Sequence, residues 1–242
     1  MAAAPPTAVV VSGGVAHDFP ATSAELVRVL GEAGIAATVT DDVEAALTGL
    51  RRSGPPPLLV LNLLRWTMQV QRYAHLRDEW SISLSAAARD ALTGHVRDGG
   101  GLLALHGASI CFDDWPEWRD LLGGVWRWET SSHPPLAGPV DIRVDSAGHP
   151  IVAGVPEFPI LDEVYGFLDR TDDVTGLLFS PHGGTEHPLL WARTVGRGRV
   201  VYDALGHHVP SYEVPEHRLI VRRAALWALG ARDDQVAAGA LG

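Results

Sequence analysis

The 242-residue chain carries eleven histidines, and several stand where a strand or turn is expected to end: His17, His106, His133, His149, His182, His187, His207 and His208. His106 is the most telling. It follows Gly99-Gly100-Gly101-Leu102-Leu103-Ala104-Leu105 and precedes Gly107-Ala108, so a glycine turn leads into a short strand of buried character that ends on one polar side chain. Open α/β sheets bind ligands at the carboxyl ends of their parallel strands, and an imidazole there exchanges protons near neutral pH or binds a metal. Each histidine alone is by default a core or surface residue with satisfied hydrogen bonds. As a set they say more: His17 after the first strand, His106 after the fourth and His207 after the last long one are expected to share one crevice.

Other residue types add to this. Asp162-Glu163 precedes Val164-Tyr165. A carboxylate beside neutral histidines orients them or acts as a general acid or base, while an ion pair with arginine is the plainer reading. Eight tryptophans is a high count for this length. Indole faces stack on the C–H faces of sugar rings, and otherwise fill cores or interfaces. Trp66, Trp115 and Trp126 fall in expected loops near the crevice. Asp113-Asp114, before Trp115-Pro116, reads as an acidic pair at a helix N-terminus. No local His-x-x-x-His or His-x-His spacing occurs, so any metal site must be assembled from distant segments.

The elements that must position these residues follow from periodicity. Ala8 to Ser12 reads as a first strand, and Thr22-Ser23-Ala24-Glu25 as a capping box opening a helix. Ile35 to Thr40 is a second strand, Asp41 with Glu44 opens a second helix, and Leu58 to Leu64 is a third strand after the Pro55-Pro56-Pro57 break. This β-α-β-α-β order implies a mostly parallel sheet with helices on both faces. Arg65 to Ser83 is a long, weakly periodic connection, of a length that is usually functional or lid-like. A helix over Leu84 to Asp98 leads to the fourth strand. Val140 to Val144, Leu177 to Ser180, Leu189 to Arg193 and Arg199 to Leu205 are short strands. Glu216 to Leu229 is a closing helix, and Ala231 to Gly242 reads as a frayed tail.

Composition bounds the rest. The formal charge of -10 makes a poor phosphate-backbone binder, so nucleic acid is not an expected partner. All 19 positive residues are arginine, so no lysine can form a Schiff base or serve a Walker motif. Cys111 is the single cysteine, which excludes an internal disulfide and a cysteine-based zinc cluster. Met1 to Thr7 lacks the basic start and apolar core of a signal peptide, and no apolar run reaches membrane-spanning length. A cytoplasmic protein without a membrane partner is expected.

Several segments, taken in order, resemble the trehalose-utilization (ThuA-like) family of the class I glutamine amidotransferase-like superfamily. They are Ser12-Gly13-Gly14 with His17-Asp18-Phe19, the Gly99 to Ala108 block, Leu122-Gly123-Gly124 followed by His133, and His149-Pro150-Ile151. Asp162-Glu163-Val164-Tyr165, His187-Pro188 with Trp191, and Gly198-Arg199-Val200 through Leu205-Gly206-His207 complete the series. The resemblance implies a flavodoxin-like three-layer α/β sandwich, expected as one domain over residues 7–230 with a C-terminal tail at 231–242. It also implies that His106 falls about where an amidotransferase places its nucleophilic cysteine, and His207 near the triad histidine. Cys111 lies five residues past that elbow and no glutamate stands two after His207, so glutamine hydrolysis through a thioester is not expected.

What the resemblance implies instead is a part in sugar catabolism, alongside oxidoreductases that make 3-keto sugars. A keto group acidifies neighbouring C–H bonds, so histidine and carboxylate bases could isomerise, epimerise or eliminate from such a sugar, or cleave it through elimination and hydration. The expected catalytic residues are His17, His106, Glu163 and His207. Those expected to bind substrate are His133, His187, Trp66, Trp126 and Tyr165. A zinc, manganese or iron ion would draw its ligands from His17, His106, His133, Glu163 and His207. The alternative is a noncatalytic carbohydrate-binding or regulatory domain with a degenerate amidotransferase site, and a hydrolase using Cys111 comes third. Self-association is expected through an apolar patch built from Trp115 to Trp128 and the closing helix.

Overall fold

The computed structural model describes residues 4–51, 57–145 and 148–241. Pro55 and Pro56 of the expected proline break, and Met1 to Ala3, lie outside the described residues. The chain runs β1 (Thr7–Gly14), α1 (Phe19–Glu32), β2 (Ala36–Thr40), α2 (Val43–Thr48), β3 (Leu58–Leu64), α3 (Arg77–Trp80), α4 (Ala86–Arg97) and β4 (Gly101–Leu105). Next come α5 (Glu117–Leu122), β5 (Gly124–Val125), β6 (Val140–Val144), β7 (Phe158–Ile160), β8 (Asp169–Arg170) and β9 (Gly176–His182). β10 (Thr185–Val195), β11 (Gly198–Asp203), α6 (Val209–Glu213), α7 (Pro215–Ala228) and α8 (Asp233–Ala238) complete it.

Nine strands form one sheet in the order β2-β1-β3-β4-β11-β10-β9-β6-β7. The strands from β2 to β11 pair in parallel, and the remaining four join antiparallel. Helices α1 and α7 pack together against the parallel strands, and α2 and α4 do so as a second pair, which makes the flavodoxin-like sandwich. Every residue of β3 and β4 is buried. These strands are covered on both faces, which explains an apolar run, broken only by Asn62 in β3, in place of alternation. Each fully buried leucine is worth roughly 1.5–3 kcal/mol, so Leu58, Leu59, Leu61, Leu102 and Leu103 hold the centre of the sheet. Gly101 is required by packing: a Cβ there would stand 2.4 Å from the Ala228 carbonyl oxygen of α7.

The structure corrects four local expectations. Helix α1 starts at Phe19, capped by the Asp18 carboxylate accepting from Ala21 N–H, not at a Thr22–Glu25 box. Thr22 and Ser23 are buried inside it, and the Asn62 side-chain amide donates to both at 3.0 and 2.9 Å. Asp113 and Asp114 do not open α5. Asp113 accepts from the Thr67 N–H and hydroxyl at 2.8 Å, and Asp114 pairs with Arg89 at 2.7 Å, so the two carboxylates tie down the Arg65–Ser83 connection. That connection is not irregular throughout, since it contains a 3-10 turn at Gln71–Leu76 and then α3. The tail folds back as α8, where Val236 is fully buried and the Arg223 guanidinium donates to the Ala237 carbonyl.

Candidate functional site

Parallel pairing brings the carboxyl ends of β1, β4 and β11 to one edge, and each is followed by a histidine of the expected set. One nitrogen each from His17, His106 and His207 and one oxygen from Glu163 lie within 4.8 Å of one another. His106 is the hub. Its Nε2 is 3.0 Å from His17 Nε2, 3.3 Å from His207 Nδ1, 3.2 Å from the Tyr165 hydroxyl and 3.4 Å from Glu163 Oε2. Its backbone has φ +42°, a left-handed conformation uncommon outside glycine. The Tyr202 hydroxyl donates to the His106 carbonyl at 2.9 Å and helps to hold that turn.

Backbone carbonyls set the tautomers. His106 Nδ1–H donates to the Ala204 carbonyl at 2.6 Å, and His17 Nδ1–H to the Val15 carbonyl at 3.2 Å. Both Nε2 atoms are then lone-pair acceptors, and they face each other. Two lone pairs and a carboxylate oxygen at such distances repel unless a proton or a metal cation lies among them. Burial, and next to it His106, push His17 down to about 4. Burial works to raise Glu163, but its interactions with His106 and His207 more than offset it, leaving this carboxyl well below the usual range. The Glu163 hydrogen bond raises His207 against the opposing effect of burial.

Asp162 has a role its sequence did not signal. It is 2% exposed, and its carboxylate accepts from the backbone N–H of Glu163, Gly206 and His207 at 2.7, 2.7 and 3.3 Å. One buried side chain thus clamps the backbone of two site residues. Beneath it, fully buried Asp203 accepts from Leu205 N–H at 3.0 Å and from His217 Nε2–H at 3.0 Å, and His217 Nδ1–H donates to the Ser211 carbonyl. Sequence reasoning missed His217. Its only signal is a polar residue on the buried face of α7.

His17, Glu163 and His207 form one end of a cavity of about 200 Å³, lined also by Trp66, Arg72, Tyr73, Trp126, Trp128, His133 and Tyr165, and His106, 3% exposed, lies behind them. His133 lies 3.5 Å from Glu163 Oε1, on the side away from His106. Trp126 packs edge-on against Tyr165, whose ring lies 4.5 Å from that of His106. Trp66 forms the far wall with Tyr73 and Trp128. The expected substrate contact His187 is elsewhere: its Nδ1 accepts from Phe167 N–H and its Nε2–H donates to the His182 carbonyl, so both nitrogens are used by backbone. His149 packs on Trp227 in a separate cavity, and His182 meets Ser132. Trp115 stacks on Trp118, and both are buried within the chain, so neither lines the crevice or forms a surface patch. Cys111 is also buried, its thiol donating to the Leu63 carbonyl at 3.4 Å, and burial pushes it up to about 12.

The sheet and its carboxyl-edge centre define a flavodoxin-like α/β protein with a histidine–carboxylate site. The chain belongs to the trehalose-utilisation (ThuA) family, whose sequence model matches residues 7–228. Among solved structures it resembles a ThuA-like protein from Parabacteroides merdae, at 18% identity, TM-score 0.73, over 94% of this chain and 91% of that one. A ThuA-like protein from Bacteroides uniformis matches at 18% identity and TM-score 0.68 over 96% and 97% of the two chains. A protein from Salmonella typhimurium described as cytoplasmic matches at 14% and TM-score 0.60 over 93% and 97%. These likenesses are of fold. No curated protein sequence matches the chain. No helix among the described residues is long and apolar enough to cross a membrane.

Proposed function

We propose that this protein is a cytoplasmic carbohydrate-catabolism enzyme that moves a proton at carbon next to a sugar carbonyl, leading to isomerisation, epimerisation or elimination. One observation carries the reading: His17, His106, His207 and Glu163, from distant segments, converge at the end of an aromatic-walled cavity. The cavity is smaller than the roughly 300–1,000 Å³ of sites for drug-sized ligands, which suits a single sugar ring.

The base is the facing Nε2 pair of His106 and His17. The Ala204 and Val15 carbonyls hold the ring protons on Nδ1 and leave a lone pair on each Nε2. His17, which lines the cavity, presents this pair to the C–H proton. The C–H electron pair moves into the carbonyl, whose oxygen then takes a proton from His207, the group whose protonated form Glu163 favours. Return of the proton to the neighbouring carbon isomerises the sugar, return to the opposite face of the same carbon epimerises it, and loss of a β-substituent completes elimination. His17, pushed down by burial, and His207, raised by the Glu163 hydrogen bond, are adjacent groups driven toward opposite protonation states, the usual mark of an acid–base pair. His133 and Tyr165 complete the polar wall beside the reacting carbon.

The donor set also fits a divalent ion. It offers two Nε2 atoms, one Nδ1 and a carboxylate oxygen, and backbone carbonyls hold the second nitrogens of His17 and His106 as metal-binding imidazoles require. Zinc, manganese or iron held there would supply a Lewis acid to the carbonyl oxygen. The test is solvent deuterium incorporation into a panel of 3-keto sugars, followed by mass spectrometry. His106→Ala should reduce it by about 10²–10⁴-fold, the usual share of a general base, with an unchanged circular dichroism spectrum. Undiminished exchange in that variant removes His106 from the reaction.

A further inference from the structure

One wall of the cavity carries a cation with no acceptor partner among the described residues. Arg72, in the 3-10 turn of the Arg65–Ser83 connection, lines the cavity and lies 4.7 Å from the Tyr73 ring centroid and 5.2 Å from that of Trp128. These rings pack on each other and on Trp66, so the guanidinium sits on a built aromatic platform. Among the described residues no carboxylate or carbonyl pairs with it. Its neighbours in the same connection differ: Arg77 donates to the Met68 carbonyl at 2.9 and 3.1 Å, and Arg65 to the Trp80 carbonyl at 3.3 Å. In a chain with 29 acidic and 19 basic residues, an arginine left unpaired in a ligand cavity stands out.

Guanidinium is a donor only, so a partner for Arg72 must be an acceptor. Stacking occupies the faces of the guanidinium and leaves its in-plane N–H edge free, the edge that matches carboxylate and phosphate oxygens. Three rings, Trp128, Trp126 and Tyr165, stand in sequence between it and His106.

We propose that the bound sugar carries an anionic group, a carboxylate or a phosphate monoester, remote from the reacting carbon, and that Arg72 receives it. This rests on the sugar reading above and adds the substrate class. The test is calorimetric titration of the full chain with glucose, glucuronate and glucose 6-phosphate. At low salt one or both acidic sugars should bind about tenfold more tightly than glucose, as a charge-assisted pair provides, and the sugar that shows the gain identifies the anion. Raising the salt should shrink the gain, because Arg72 is exposed. Arg72→Gln should abolish it, and Arg72→Lys should keep part of it. If glucose binds as tightly as both acidic sugars, or if the preference survives Arg72→Gln, this inference fails while the sugar reading stands. If none of the three binds, this inference fails too, and the keto-sugar reading is decided by the exchange assay above.

Discussion

Asp203→Asn probes the buried pair under the site. Asp203 and His217 are fully buried, 3.0 Å apart, and both imidazole nitrogens reach acceptors, which requires a cationic ring. Burial lowers the His217 pKa, but the charge and hydrogen bond of Asp203, with the Ser211 carbonyl, outweigh it and raise the net value. Breaking a buried pair costs roughly 3–5 kcal/mol, and the low end, about 3 kcal/mol, applies here because the imidazole can escape by losing its proton. At about 2–4 °C per kcal/mol for a chain of this size, Tm should fall by about 6–12 °C. The pH dependence has a definite sign. A raised folded-state pKa means that the pair stabilises fully below the ordinary histidine value of 6.5 and loses this contribution as pH rises through the folded value. Urea unfolding of the wild type from pH 6 upward should show that decline, and the variant should not. The same carboxylate fixes Leu205 N–H beside the Ala204 carbonyl that orients His106, so loss of stability and loss of turnover should go together. A variant that melts within about 2 °C of wild type, less than 1 kcal/mol on that scale, or that keeps the alkaline decline, would refute the assignment of charge to this pair.

Two further outcomes are expected. In metal-free protein, nitrogen-15 NMR should show His17 neutral at pH 6, since burial and His106 hold it near 4; a charged ring at that pH contradicts the buried lone-pair arrangement. Cys111 should resist iodoacetamide at pH 8 in the native state and react fully in urea, because its buried thiol is pushed up to about 12; rapid native alkylation with loss of activity would restore a thiol mechanism.

The central strands are legible in the sequence because burial on both faces removes alternation, so Leu58–Leu64 and Gly101–Leu105 stand out as apolar runs with the observed boundaries. His17, His106 and His207 are legible as a group for a topological reason: parallel strands end at one edge, and each histidine follows such an end. His133 and Glu163 also reach the crevice. His187 does not, because a histidine beside the hairpin turn of an antiparallel strand pair carries no mark separating ligand contact from backbone contact. Thr22 and Ser23 mimic a cap, yet their hydroxyls serve Asn62 inside the fold, a partner forty residues away in sequence that no local pattern shows. Asp162 beside Glu163 reads as a second acid–base candidate. Only the fold reveals that its oxygens are taken up by amides from the Gly206-His207 turn.

That carboxylate has a mechanical consequence. By stapling the segment carrying Glu163 to the turn carrying His207, Asp162 makes these site groups a single stiff anvil, unable to part without exposing two amides at once. Whatever opens to admit a ligand must therefore give way on the opposite jaw, the Arg65–Ser83 excursion that bears Trp66, Arg72 and Tyr73 and whose turn at Gln71–Leu76 has no buried residue. Hydrogen exchange should run slowest at Gly206 and His207 and fastest along that jaw.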